Sequence, residues 1–294
     1  MNVTKFFLVV RIFLTVLIAD FAGAVSAEVF DHAAEAGDTI RQYREQLYAL
    51  EEQSGHFSFQ LLEPLQQLAN AQLAANRLSD AWESVDRAAH IARIENGLYT
   101  PVQYPFLQQA IEIDVLRGAW KDVNEQIEHF TWLIGHKYQG TAKDRLHRMR
   151  WIADIHSRGY AEDSEDNEAH HLIQATSINE LVVQYAQVKR LANNLAYAQM
   201  LQNLANTYAL EAMAIKAGGT TGYRLRRIVP GLEILEDRYE AIEKRYLFGL
   251  EKLQQRRELL AELYPADVPV LANADLTLTR WHQTFGKTDS AGAD

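Results

Sequence analysis

Residues 73–82 read LAANRLSDAW, 114–123 read DVLRGAWKDV and 155–164 read IHSRGYAEDS, each setting a turn residue, Asn76, Gly118 or Gly159, between two helix-forming stretches. The three turn residues are 42 and 41 positions apart. Self-similarity at a fixed period of this size marks a chain built by stacking helical hairpins, none of which can bury its apolar face alone. The expectation is an all-α fold, an α-solenoid of antiparallel helical hairpins.

Working outward from these junctions, a first helix is expected over about Asp31 to Gln53, ended by Ser54 to His56, and a second over about Phe57 to Ala75. The third begins at Ser79 as N-cap and carries Ala81, Val85, Ala88 and Ala92 on one stripe at helical spacing. Further helices follow over about Val102 to Arg117 and Trp120 to Lys137, and Thr141 caps another that runs to about Ser157. The stretch from Gly159 to Glu168 is expected to be a mobile loop. All six prolines fall where a helix starts or stops, and strand-like alternation bounded by Gly-Asn turns is missing.

The second half changes character. Ser177 and Glu180 have the spacing of a capping box, and from there to Ala217 neither Gly nor Pro occurs, which predicts one continuous helix. A Gly-rich turn after Ala217 and a second long stretch, about Pro230 to Tyr264, complete a long antiparallel helical hairpin. Leu181, Val188, Leu191, Leu195, Leu201, Leu204 and Tyr208 are expected to face Leu232, Leu235, Tyr239, Ile242, Tyr246, Leu250 and Leu253. Tyrosines at helical spacing on both arms, Tyr185 and Tyr197 among them, read as core packing.

In the first hairpin Leu65, Leu68 and Ala69 precede the turn at Asn76, and Ala81, Val85 and Ala88 follow it. This order, large–Leu–small and then Ala–large–Ala, resembles the tetratricopeptide repeat (TPR). The second hairpin is similar to the same pattern through Leu107, Ala110, Ile111, Val123, Ile127 and Phe130, and the third keeps only Trp151 and Ile152, with Ser164, Glu168 and His171 where small or apolar residues belong. Trp281, Phe285, Gly286 and Ala291 look like a further repeat's turn. The resemblance implies a scaffold that holds an extended peptide or a partner helix on the inner face of its first helices. Carried onto this chain, that face holds Glu63, Gln66, Gln67 and Asn70, with Gln108, Gln109 and Glu112 in the next hairpin. Side-chain amides both donate to and accept from a peptide backbone, so a row of them suits such a segment.

Residues 1–27 read as a secretory signal: Lys5 and Arg11, an apolar run from Ile12 to Ala19, then AGAVSA, with cleavage after Ala27. The alternative is an N-terminal membrane anchor. The expected organisation is then 1–27 signal, 28–175 TPR-like repeats, 176–286 long hairpin and C-terminal helix, and 287–294 disordered tail. The absence of Cys excludes disulfides, thiolate metal sites and cysteine nucleophiles, and suits a periplasmic or secreted protein. A formal net charge of −10 argues against phosphate backbones and anionic lipid surfaces as partners.

Ten histidines raise the question of a metal. Adjacent His170 and His171 point to different sides of a helix, His129 and His136 or His147 and His156 share a face at best, and no HExxH occurs. The acidic run Asp163, Glu165, Asp166 and Glu168 lacks the Gly and Glu of a calcium loop. Nucleophile-elbow, Walker and dinucleotide motifs are absent. The expected function is therefore an exported, non-catalytic scaffold of the bacterial envelope with a protein or peptide partner, no cofactor and no metal. Two alternatives stand beside it: a periplasmic glycan-handling enzyme with a helical superhelix, and an architectural component that forms a homodimer through the long hairpin.

Overall fold

The computed structural model of the chain describes residues 25–163, 167–226, 228–229 and 234–287. The expected signal segment lies almost entirely outside the described residues, as do residues 288–294 of the tail, Leu232, and the middle of the acidic run. The described residues are helical except for loops and one two-residue antiparallel pair, β1 (Ile228–Val229) with β2 (Ile234–Leu235). The chain divides into two compact units at Arg117 and Gly118.

The first unit holds α1 (Val25–Ser54), α2 (Leu62–Ala74), α3 (Leu78–Asn96) and α4 (Tyr104–Arg117), each packed on the next. Short 3₁₀ turns precede α2 and α4, opened by Ser58 and Thr100, whose hydroxyls accept from the Gln60 and Val102 amides. Ser79 does not cap α3; the helix starts one residue earlier, after Arg77. Asn76 stands in the left-handed region at φ 54°. Its amide bonds the Leu73 carbonyl at 2.9 Å, and the Arg77 amide bonds that of Gln72 at 2.8 Å, which closes α2 in a Schellman motif. All six repeat positions of this hairpin, Leu65, Leu68, Ala69, Ala81, Val85 and Ala88, are buried. The alanines let α3 approach its neighbours closely, while each buried leucine contributes about 1.5–3 kcal/mol.

The second unit holds α5 (Trp120–Trp132), continued by a π-helical turn over Leu133–Lys137, then α6 (Ala142–Glu162), α7 (Glu168–Val188), α8 (Leu195–Ala217), the short α9 (Gly219–Leu225), α10 (Arg238–Leu263) and α11 (Val268–Thr284). Thr141 caps α6, as its spacing to Asp144 suggests. Gly159 is not a turn. α6 runs through it, because the residue serves as a point of close approach: a Cβ there would collide with the His171 ring. The chain reverses after Glu162 instead, and α6 and α7 pack as a true hairpin, with buried Ala169, Leu172 and Ala175 lining the return arm. The part of the expected loop from Gly159 to Glu162 is thus helical.

The continuous helix expected from Ser177 to Ala217 is two helices. Ser177 and Glu180 sit inside α7 and form no capping box. The break is a second Schellman motif, with Arg190 at φ 56° and the Leu191 amide on the Ala186 carbonyl at 2.8 Å. Asn194 then caps α8 through the Tyr197 amide. The long antiparallel hairpin exists as α8 with α10, since Glu211 bonds Arg245 while Tyr208 meets Phe248, so three residues back on one helix are three forward on the other. Leu201, Leu204, Tyr208, Tyr246 and Leu253 are buried as expected. Leu181, Val188 and Leu195 are exposed, the last two beside the break, and Tyr239, at 82% exposure, stands in the first turn of α10. α11 folds back on α10, where Gly249 leaves the space that the Trp281 ring occupies.

Candidate functional site

α2 and α4 flank α3 in the first unit, and the seven sequence-derived residues lie on these two helices. On α2, Glu63, Gln66, Gln67 and Asn70 follow the i, i+3, i+4, i+7 spacing of one face. On α4, Gln108, Gln109 and Glu112 occupy the second turn and the start of the third. Three of the seven are brought into direct contact. Gln66 Nε2 donates to Gln109 Oε1, and Gln109 Nε2 donates to Asn70 Oδ1 at 2.9 Å. Glu63, Gln67, Asn70 and Glu112 are exposed, and Gln66, Gln108 and Gln109 are half-buried.

This amide ladder spans from one helix to the next but one. Its inner groups are satisfied by each other, while its two ends, the Gln66 side-chain oxygen and the Asn70 NH₂ group, make no bond to other described residues. One end accepts and the other donates, which is the complement of an extended peptide backbone. The glutamines are also held in place by their bonds, so less side-chain entropy is lost on binding. Beneath the row, α3 is tied to both neighbours: Ser84 donates to Gln72 at 2.8 Å, and Trp82 Nε1 donates to buried Asp114 at 2.9 Å. Arg117 completes the Asp114 carboxylate at 2.8 Å.

A second polar cluster lies in the other unit. Buried His156 on α6 and buried His171 on α7 face each other Nδ1 to Nδ1 at 3.1 Å, and His171 Nε2 lies 3.0 Å from Asp163. Asn124 and Asn167 also donate to Asp163, at 3.3 and 3.1 Å. Trp120 meets the His171 ring edge-on at 5.5 Å. Burial, then the neighbouring His171 and His170, push His156 down to about 3. Burial also holds His171 below its ordinary value, against the opposing hydrogen bond and charge of Asp163. His170 and His171 part as their adjacency requires, one exposed and one buried, but helical spacing gives no sign that His171 pairs with His156 across the hairpin. Only Gly159, whose missing side chain admits the ring, hints at it. Among the described residues no group of three or more His, Cys, Asp or Glu side chains is arranged to hold a metal ion.

No helix among the described residues is long and apolar enough to cross a membrane. No protein-family model matches the chain, and no curated protein matches it. Among solved structures, the chain is similar to a crystal structure of nearly identical TPR-like repeats of a Podosopora anserina kinesin light chain, at 14% identity and a TM-score of 0.49, over 81% of this chain and 97% of that one.

Proposed function

We propose that this chain is a non-catalytic scaffold that holds a protein or peptide partner on the α2–α4 face of its first unit. One observation carries the reading: Gln66, Gln109 and Asn70 form a bonded amide row across two helices, with an acceptor at one end and a donor at the other. Glu63 and Gln67 extend the row along α2, and Gln108 and Glu112 along α4. An extended segment laid along it exchanges backbone hydrogen bonds with the amides and leaves its side chains to set specificity. The reading includes export to the bacterial periplasm or secretion, which rests on the leader-like residues 1–27 and the lack of cysteine.

The test is the triple variant Gln66→Ala, Asn70→Ala, Gln109→Ala, used as bait in envelope extract. Capture of the partner is expected to fall about tenfold or more, with helicity by circular dichroism unchanged. A second reading, self-association through the long hairpin, is favoured by the exposed Tyr239, Leu247 and Phe248 on α10. Light scattering distinguishes the two, since that reading requires a dimer.

A further inference from the structure

The second unit contains a cavity of about 550 Å³, walled by α7, α8, the end of α9 and α10. This volume lies within the range of sites that take small molecules. Its base is a network of buried ion pairs. Arg245 Nε bonds Glu211 at 2.9 Å, its Nη1 bonds Glu236 at 3.1 Å, and its Nη2 reaches the Leu225 carbonyl at 3.0 Å. Lys244 Nζ completes Glu236 at 2.8 Å. The same ammonium also bonds the exposed Glu240 at 2.9 Å, so two cations hold three carboxylates in place.

Arg224, Arg226 and Glu180 are the other charged residues that line the cavity. The Glu180 carboxylate accepts from the Tyr208 hydroxyl at 2.6 Å. Arg226 is half-buried, its amide bonds the Tyr223 carbonyl at 3.2 Å and its guanidinium lies over the Tyr223 ring at 5.5 Å, with no side-chain hydrogen bond to another described residue. Stacking fixes the guanidinium plane while leaving its N–H fork unused, an arrangement suited to a carboxylate or phosphoryl group. Ile173, Leu225 and Phe248 supply apolar lining, and Ser177, one turn after Ile173 on α7, is exposed.

We infer that this cavity is a binding site for a small organic anion, one carboxylate or phosphoryl head on a flat apolar body, the head on Arg226 and the body against Phe248 and Ile173. The site is independent of the amide row of the first unit, and neither stands or falls with the other.

Naphthalene-2-carboxylate is a suitable probe, with naphthalene-2-carboxamide as its uncharged counterpart, both titrated by calorimetry against the full chain. The carboxylate is expected to bind at one per chain and the amide at least about tenfold more weakly, since it lacks the charge-assisted pair. Arg226→Ala is expected to weaken the carboxylate by a similar factor. Ser177→Phe, at an exposed position that folding tolerates, fills the cavity and is expected to remove binding, with unchanged circular dichroism verifying the fold of both variants. Failure of the carboxylate to bind at millimolar concentration, equal binding of the amide, or wild-type binding by both variants would overturn the assignment.

Discussion

His156 and His171 meet Nδ1 to Nδ1 at 3.1 Å inside the α6–α7 hairpin, and Asp163 sets the direction of that bond. Because His171 Nε2 donates to the Asp163 carboxylate, the His171 Nδ1 is an acceptor, so His156 Nδ1 carries the donated proton. Both rings are neutral in this arrangement. A proton added to His171 Nδ1 breaks the bond between them, and one added to His156 Nε2 places a charge in a buried space.

Acid is therefore expected to loosen the second unit. The folded His156 titrates at about 3, below its ordinary 6.5, so between these values the unfolded chain binds more protons than the folded one. The contribution is complete above pH 6.5 and is lost as pH falls toward 3, with a slope of up to about 1.4 kcal/mol per pH unit. Urea midpoints measured from pH 7 to pH 4 check this against His156→Gln, in which the dependence should be shallower over the same window.

Gly159→Ala is expected to cost about 1–3 kcal/mol, since its Cβ would collide with the His171 ring within a packed core. If the clash is the cause, His171→Ala combined with Gly159→Ala costs less than the two single changes together. A double-mutant cycle by urea denaturation reads this directly.

Arg190→Gly is expected to stabilise the chain by about 1 kcal/mol, because Arg190 occupies the left-handed region at φ 56° without the freedom of glycine. Arg190→Ala should give no such gain. Thermal unfolding of the two variants separates the backbone effect from loss of the guanidinium.

Arg245→Met is expected to cost about 3–5 kcal/mol, as it strands the buried carboxylates of Glu211 and Glu236. Lys244→Ala, at the exposed edge of the same network, should change the unfolding midpoint little. Calorimetric melting of both variants gives the comparison.

The parts legible in sequence are those with local signals. Asn76 marks a true left-handed turn, the Ala81–Val85–Ala88 stripe marks a true buried face, and Thr141 marks a true cap. Two features mislead because the same residue types serve other ends. Gly159 resembles a turn glycine but admits a ring, and Arg190 breaks a helix where no Gly or Pro announces it, with Asn194 as the one local sign. The grouping of Gln66, Asn70 and Gln109 comes from the repeat pattern, whereas their mutual bonding is tertiary and has no signal of its own. The His156–His171 pair and the Arg245 network likewise join residues from different helices, which periodicity within one helix does not reveal.

The scaffold reading is tested most directly by placing a photo-crosslinking amino acid at Gln67, an exposed position beside Gln66 on α2, and at Glu83, an exposed position on α3. Irradiation in envelope extract, followed by mass spectrometry of the adducts, should attach one partner reproducibly at Gln67 and none at Glu83. Equal labelling at the two positions, or a partner attached only at Glu83, would contradict a binding face built on the α2–α4 amide row.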